Sequence, residues 1–169
     1  GIAARVKESA GEDVEVAATR SAPIAVGAAV VTQAGELLVS KTVGKVGDLE
    51  RCMKTELPGD VCLKAVLGIG HTRWATHGPP TRENAHPHMS RNGTFAVVHN
   101  GIIDNYAELR ARLARRGYTF ASETDTEVIA HLIEECYEGD LRGAVAASLE
   151  QLSGTYGIAV VSSLHPDVL

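Results

Sequence analysis

The sequence predicts a layered domain of α/β or α+β type. Strand-like runs precede and follow a cluster of three amphipathic helix patterns, and strands and helices do not alternate regularly as in a doubly wound sheet. The chain has 169 residues, which suits one domain. It is 44% hydrophobic and 22% charged, enough apolar side chain to bury a core; with aromatics at 4%, aliphatic residues must fill most of it.

The elements follow in order. Residues 1–20 carry Glu8, Glu12, Asp13 and Glu15 with little periodicity and read as a solvated arm. The run 24–32, with Val26, Val30 and Val31, predicts a buried strand. Ala34-Gly35 makes a turn, and Leu37-Leu38-Val39 a second strand that completes a hairpin. Residues 48–55 predict a short helix stopped near Pro58-Gly59, and 66–71 a strand. The segment 72–93 is polar, holds three prolines and is long for a loop without structure of its own, which marks it as functional. Residues 94–98 predict a strand ending at His99-Asn100-Gly101. Tyr106, Leu109 and Leu113 share a helical face stopped by Gly117. Val128, Ile129, Leu132, Ile133 and Cys136 form a second stripe, capped by Thr124 or Asp125. Leu141, Val145, Leu149 and Leu152 form a third, ended by Gly154, and 155–162 predicts a final strand.

Several function classes are disfavoured. A net charge of -5 and a pI near 5.8 argue against a general nucleic-acid binder, which needs a basic surface. Cys52, Cys62 and Cys136 are odd in number and form no Cys-x-x-Cys pair, which disfavours a disulfide framework or a four-thiolate zinc site and suits a reducing cytoplasm. No signal-peptide pattern occurs. The longest apolar run, Ala22 to Val31, is interrupted by Pro23 and Gly27 and is far shorter than the ~20 residues that span a bilayer.

The chemistry-bearing residues concentrate in a few places. His71-Thr72-Arg73-Trp74-Ala75-Thr76-His77-Gly78 packs a permanent cation, the single tryptophan, two threonines and two histidines together. Arg73 can grip a carboxylate through two parallel hydrogen bonds, and Trp74 can shield such a pair from water. The same composition also suits a surface loop in which Arg73 and Trp74 simply pack together. In His99-Asn100-Gly101, an Asn side-chain N–H and a Gly backbone N–H can point at one spot, as an oxyanion hole requires. Taken alone, the triplet reads more simply as an Asn-Gly turn. Asp125 can pair with a ligand ammonium group, but in isolation it reads as an acidic helix N-cap. The histidines at 71, 77, 86, 88 and 99 raise a metal site. No carboxylate follows at a familiar ligand spacing and no His-Glu-x-x-His occurs, so neither metal nor cofactor is expected. Arg110, Arg112, Arg115 and Arg116 make one helix basic, which in an acidic chain is a solvated face.

Four ordered blocks carry a resemblance. They are Gly68-Ile69-Gly70-His71-Thr72-Arg73-Trp74-Ala75-Thr76-His77-Gly78, then Asn84-Ala85-His86-Pro87-His88, then Val97-Val98-His99-Asn100-Gly101-Ile102-Ile103, then Ser122-Glu123-Thr124-Asp125-Thr126-Glu127. Together they resemble the class II glutamine amidotransferase domain, in the branch of glucosamine-6-phosphate synthase, or glutamine–fructose-6-phosphate aminotransferase. The resemblance implies an α+β, N-terminal-nucleophile (Ntn) hydrolase-like fold, a four-layer αββα sandwich in which two antiparallel sheets stack between helices. It implies that Arg73 holds the α-carboxylate of L-glutamine and Asp125 its α-ammonium, with Thr76 and His77 lining the same pocket. Asn100 and Gly101 would be the oxyanion donors, Trp74 would sit on a loop that closes over glutamine, and His86 and His99 would support the site. It also implies a cytoplasmic enzyme without cofactor, a partner sugar-isomerase domain that binds fructose-6-phosphate and receives the ammonia, and a homodimer.

In that family the nucleophile is the thiol of a leading cysteine, and Gly1-Ile2 resembles the pair that follows it. From residue 3 to about 25 the resemblance nearly vanishes, which divides the chain into a divergent segment, 1–23, and a partial glutaminase domain, 24–169. Cys52, Cys62 and Cys136 cannot replace a nucleophile that needs its own free α-amine. The expectation is a truncated domain without glutamine turnover as written. The alternative is a non-catalytic relic that still binds glutamine.

Overall fold

The computed structural model describes residues 25–57, 59, 64–73 and 78–169. The segment 1–23 and the arm read at 1–20, like Cys62, Trp74, Thr76 and His77, lie outside the described residues. The first sheet holds β1 (Ala25–Thr32), β2 (Leu37–Val43) and β3 (Ala65–Arg73) in the order β2-β1-β3, all antiparallel. The second holds β4 (His88–Met89), β5 (Phe95–Ile103) and β6 (Gly154–Ser162) in the order β4-β5-β6, again antiparallel.

The expected hairpin is present, with Val31 opposite Leu37 and Gly35 at φ 77 in its turn. Helix α1 (Val46–Glu56) follows β2 and lies against it, with Asp48 accepting the Lys45 N–H at 2.6 Å to close its first turn. The three later helices are α2 (Tyr106–Arg115), α3 (Thr126–Cys136) and α4 (Leu141–Leu149). Gly117, at φ 87, ends α2 as its position implies. Arg112 of α2 and Arg116 at its C-cap pair with Glu135, and Arg110 lies over the Phe120 ring.

Two apolar layers bind the two sheets and the later helices together, and α1 covers the outer side of the first sheet. Ala29 and Val31 of β1 with Leu67 and Ile69 of β3 pack against Ala96 and Val98 of β5 and Val161 of β6, so the sheets face each other. The opposite face of the second sheet, with Phe95, Val97, Ile103 and Val160, is covered by Leu109 and Leu113 of α2, Val128, Ile129, Leu132 and Ile133 of α3, and Leu141 and Ala144 of α4. The order is helix, sheet, sheet, helices: the αββα sandwich.

Three local readings are corrected. The strand read at 94–98 does not stop at His99-Asn100-Gly101; β5 runs to Ile103, and Asn100 and Gly101 pair with Gly157 and Tyr156. Turn propensity lost because the β6 partner supplies ladder hydrogen bonds, and because Gly101 takes φ 128 where an added Cβ would stand 2.0 Å from the Thr155 carbonyl oxygen. Gly154 does not end a helix but opens β6, while α4 stops at Leu149. The polar segment 72–93 is not all loop: β3 extends to Arg73, and His88 and Met89 pair with Val97 and Ala96.

Candidate active site

The site begins where the core between the sheets ends. Side chains alternate along a strand, so Leu67, Ile69, His71 and Arg73 of β3 share the face turned toward the second sheet. Ala96, Val98 and Asn100 of β5 share the face turned back. The first members of each series are apolar core. The last are polar and meet across the gap, with His71 Nε2 2.7 Å from Asn100 Oδ1.

Arg73 is only 4% exposed. Its guanidinium donates to the carbonyl oxygens of Pro79 at 3.3 Å and Gly78 at 3.4 Å, long contacts that a carboxylate ligand can outcompete. Burial pulls its pKa down, and the negative charge of Asp125 opposes this. Asp125 occupies the N-cap of α3, yet its carboxylate accepts no N–H of that helix. It accepts the Ile103 backbone N–H at 3.0 Å instead, which binds the start of α3 to the end of β5. The N-cap reading gave the right position and the wrong partner.

Behind these groups lies a buried histidine network. The His99 backbone N–H donates to His86 Nδ1 at 3.3 Å, so the His86 ring proton sits on Nε2 and donates to Thr126 Oγ1 at 3.2 Å. The same Thr126 hydroxyl lies 2.9 Å from His99 Nδ1, which is also 4.0 Å from the Asp125 carboxylate. His86 is held far below the ordinary histidine pKa by burial and by its neighbours His88, His71 and His99, and burial lowers His71 as well. Burial thus disfavours the charged form of the His71 and His86 rings.

The loop from Gly78 to Pro87 is tied down at several points. Lys41 Nζ donates to the carbonyls of Glu83 at 3.2 Å and Pro87 at 3.1 Å, and burial, opposed by Glu127 and Glu83, lowers this lysine to about 8. Asn84 donates to Pro79 O and Glu123 Oε2 and accepts the Glu123 N–H at 2.9 Å. His88 meets Thr124 Oγ1 at 3.0 Å, and Ser122 joins Thr124 to Glu127. Gly27 makes room for the loop on β1, since a Cβ there would stand 2.2 Å from the His86 carbonyl oxygen. Blocks far apart in sequence thus form one polar wall.

The sequence of residues 71–169 matches the glutamine amidotransferase domain family. The chain belongs to that family. It is 54% identical over 133 residues to a glutamine–fructose-6-phosphate aminotransferase (isomerizing) of Symbiobacterium thermophilum, covering 79% of this chain and 21% of that protein. It is 51% identical over 145 residues to the enzyme of that name from Pseudomonas putida, covering 85% and 23%. The chain therefore spans about a fifth of the length of the curated relatives it matches. Among solved structures, glutamine phosphoribosylpyrophosphate amidotransferase from B. subtilis, complexed with ADP and GMP, superposes with TM-score 0.63 at 29% identity over 82% of this chain and 29% of that one. A glutamine aminotransferase class-II domain protein from Silicibacter pomeroyi shares the fold, with TM-score 0.57 at 19% identity over 82% and 65%. The fold read from the four motifs is the Ntn-hydrolase-type amidotransferase fold.

Within this amidotransferase domain, Arg73, Asn100, Gly101, Asp125, His86 and His99 come to one end of the two facing sheets. His71 was missed as a site residue, although it stands two positions before Arg73 and so shares its strand face. The two described cysteines are elsewhere: Cys52 Sγ faces the Lys41 carbonyl from α1, and Cys136 Sγ meets Gln151 at the C-terminal end of α3, the end remote from Asp125. Among the described residues no helix is long and apolar enough to cross a membrane, and no three His, Cys, Asp or Glu side chains are grouped to hold a metal ion.

Proposed function

We propose that this domain binds L-glutamine, with the Arg73 guanidinium on the α-carboxylate and the Asp125 carboxylate on the α-ammonium. The Asn100 side-chain amide and the Gly101 backbone N–H face the γ-carbonyl and stabilise the oxyanion that forms when the amide is attacked. The observation that carries this reading is the assembly of a buried cation, a buried carboxylate and an amide at one end of the sheets, linked across the gap by the His71–Asn100 contact. A zwitterion with a side-chain carbonyl complements those three groups. Thr76, His77 and Trp74 complete the pocket in this reading, and His86 and His99 hold its wall. The names of the relatives support the further step, in which the ammonia serves an aminotransferase acting on fructose-6-phosphate; amino-sugar synthesis in the cytoplasm, with a sugar-isomerase domain and a second copy as partners, belongs to the same proposal.

Attack on the amide needs a thiol. In this reading it belongs to a leading cysteine ahead of Gly1-Ile2, as the family resemblance implies, and the two described cysteines stand away from the pocket. That placement favours a second reading, glutamine binding without turnover by residues 1–169 alone. Two measurements separate the readings. Calorimetry with L-glutamine is expected to show binding that Arg73→Ala abolishes; unchanged affinity in the variant places the ligand elsewhere. Ammonia release is expected at buffer background from residues 1–169 and above it once a cysteine precedes Gly1. Turnover by residues 1–169 alone would contradict that source for the nucleophile.

A further inference from the structure

We propose that His71 is a positioning residue whose ring tautomer sets which way the Asn100 amide points, and so whether an N–H or a carbonyl faces the oxygen of the reacting carbonyl. The inference rests on the glutamine-site reading only for its consequence, not for its geometry. An asparagine amide is nearly symmetric in shape, so packing alone scarcely distinguishes its two orientations. Asn100 is exposed at the mouth of the site, whereas His71 is buried and its Nε2 lies 2.7 Å from Asn100 Oδ1. The imidazole plane is fixed by stacking on His86, with centroids 4.3 Å apart and planes 25° from parallel.

Two arrangements keep this hydrogen bond. With the proton on Nε2, His71 donates to Oδ1 and the Asn100 N–H groups turn outward, toward the substrate oxygen. With the proton on Nδ1, the ring accepts from the Asn100 amide and the carbonyl turns outward, where it would repel an oxyanion. His71 Nδ1 is buried and has no hydrogen-bond partner among the described residues. A proton there would be a buried N–H without an acceptor, which costs more than an unused lone pair. The Nε2–H form therefore wins, and with it the outward-facing donor. Protonation at low pH leaves Nε2–H in place, so this function of His71 does not require a neutral ring.

The first test needs no ligand. Nitrogen-15 NMR of the imidazole rings, with His71 assigned by its loss in His71→Gln, is expected to show the His71 proton on Nε2. A neutral ring protonated on Nδ1 would overturn the proposal. The second test compares L-glutamine with L-norvaline, which has the same α-groups and no side-chain carbonyl, in calorimetric titrations. His71→Leu is expected to weaken L-glutamine by about 3- to 10-fold, the worth of one hydrogen bond, and L-norvaline by less than about 2-fold. His71→Gln, which keeps a donor near the place of Nε2, is expected to restore L-glutamine binding. Equal loss of both ligands, or none for L-glutamine, would refute the positioning role. Should the unmodified domain bind neither ligand, the glutamine-site reading fails, and the ring-proton measurement still decides the tautomer.

Discussion

The carboxylate of Asp125 accepts the backbone N–H of Ile103 at 3.0 Å, and so joins the first turn of α3 to the last residue of β5. One oxygen serves the fold while the negative charge is felt at Arg73. Asparagine can still accept the Ile103 N–H but cannot pair with an ammonium group. Asp125→Asn should therefore leave stability within about 1 kcal/mol in urea unfolding, while L-glutamine affinity falls by at least about 30-fold in calorimetry. A parallel loss of stability and binding would mean that Asp125 is structural only.

Gly101 cannot carry a side chain. Its φ of 128 is strained for any L-residue, and an added Cβ would meet the Thr155 carbonyl oxygen at 2.0 Å. Gly101→Ala should lose about 3–5 kcal/mol, by backbone strain and overpacking together. Gly157→Ala, on the partner strand with open space at its Cβ, should stay within about 0.5 kcal/mol. Denaturant midpoints of the two variants measure the difference.

Thr126 bridges His86 and His99 through one buried hydroxyl. Thr126→Val keeps the shape but leaves two ring nitrogens without that partner, at a cost of about 2–4 kcal/mol. Thr126→Ser keeps the hydroxyl and should cost less than about 1 kcal/mol. Thermal unfolding of the pair checks the network, and equal effects would remove it.

The buried histidines make the fold acid-sensitive. His71 and His86 are held below their unfolded pKa of 6.5, chiefly by burial. Between their folded and unfolded values the unfolded chain binds more protons, so stability rises with pH. The histidine contribution should be level from about pH 6.5 to about pH 7.5, below the range in which Lys41 titrates, and fall below about pH 6.5, by up to about 1.4 kcal/mol per pH unit for each histidine that stays neutral when folded. Urea unfolding between pH 7 and pH 5 measures the slope. Replacing the Thr126 hydroxyl should not reverse its sign.

Much of this was legible in the sequence, because most elements announce themselves through periodicity. The three late helices and the first hairpin follow from spacing and from Gly35 and Gly117. Asn100-Gly101 misled because local turn chemistry is outvoted by a β6 partner more than fifty residues away. Asp125 misled for a related reason: its N-cap position is local, but its hydrogen-bond partner on β5 is not. His71 was hidden among several histidines until the alternation along β3 placed it beside Arg73. The Asn84–Glu123 and His88–Thr124 links join blocks about forty residues apart, so no single window of sequence displays them.

The pocket itself is tested most directly by mapping L-glutamine onto the nitrogen-15-labelled domain by NMR. Binding should move the Asn100 side-chain amide, the Gly101 and Ile103 backbone amides and the Arg73 guanidinium signal together, and leave α4 unchanged. Shifts gathered around Cys52 or along α4, or a saturating response that spares Arg73 and Asn100, would contradict it.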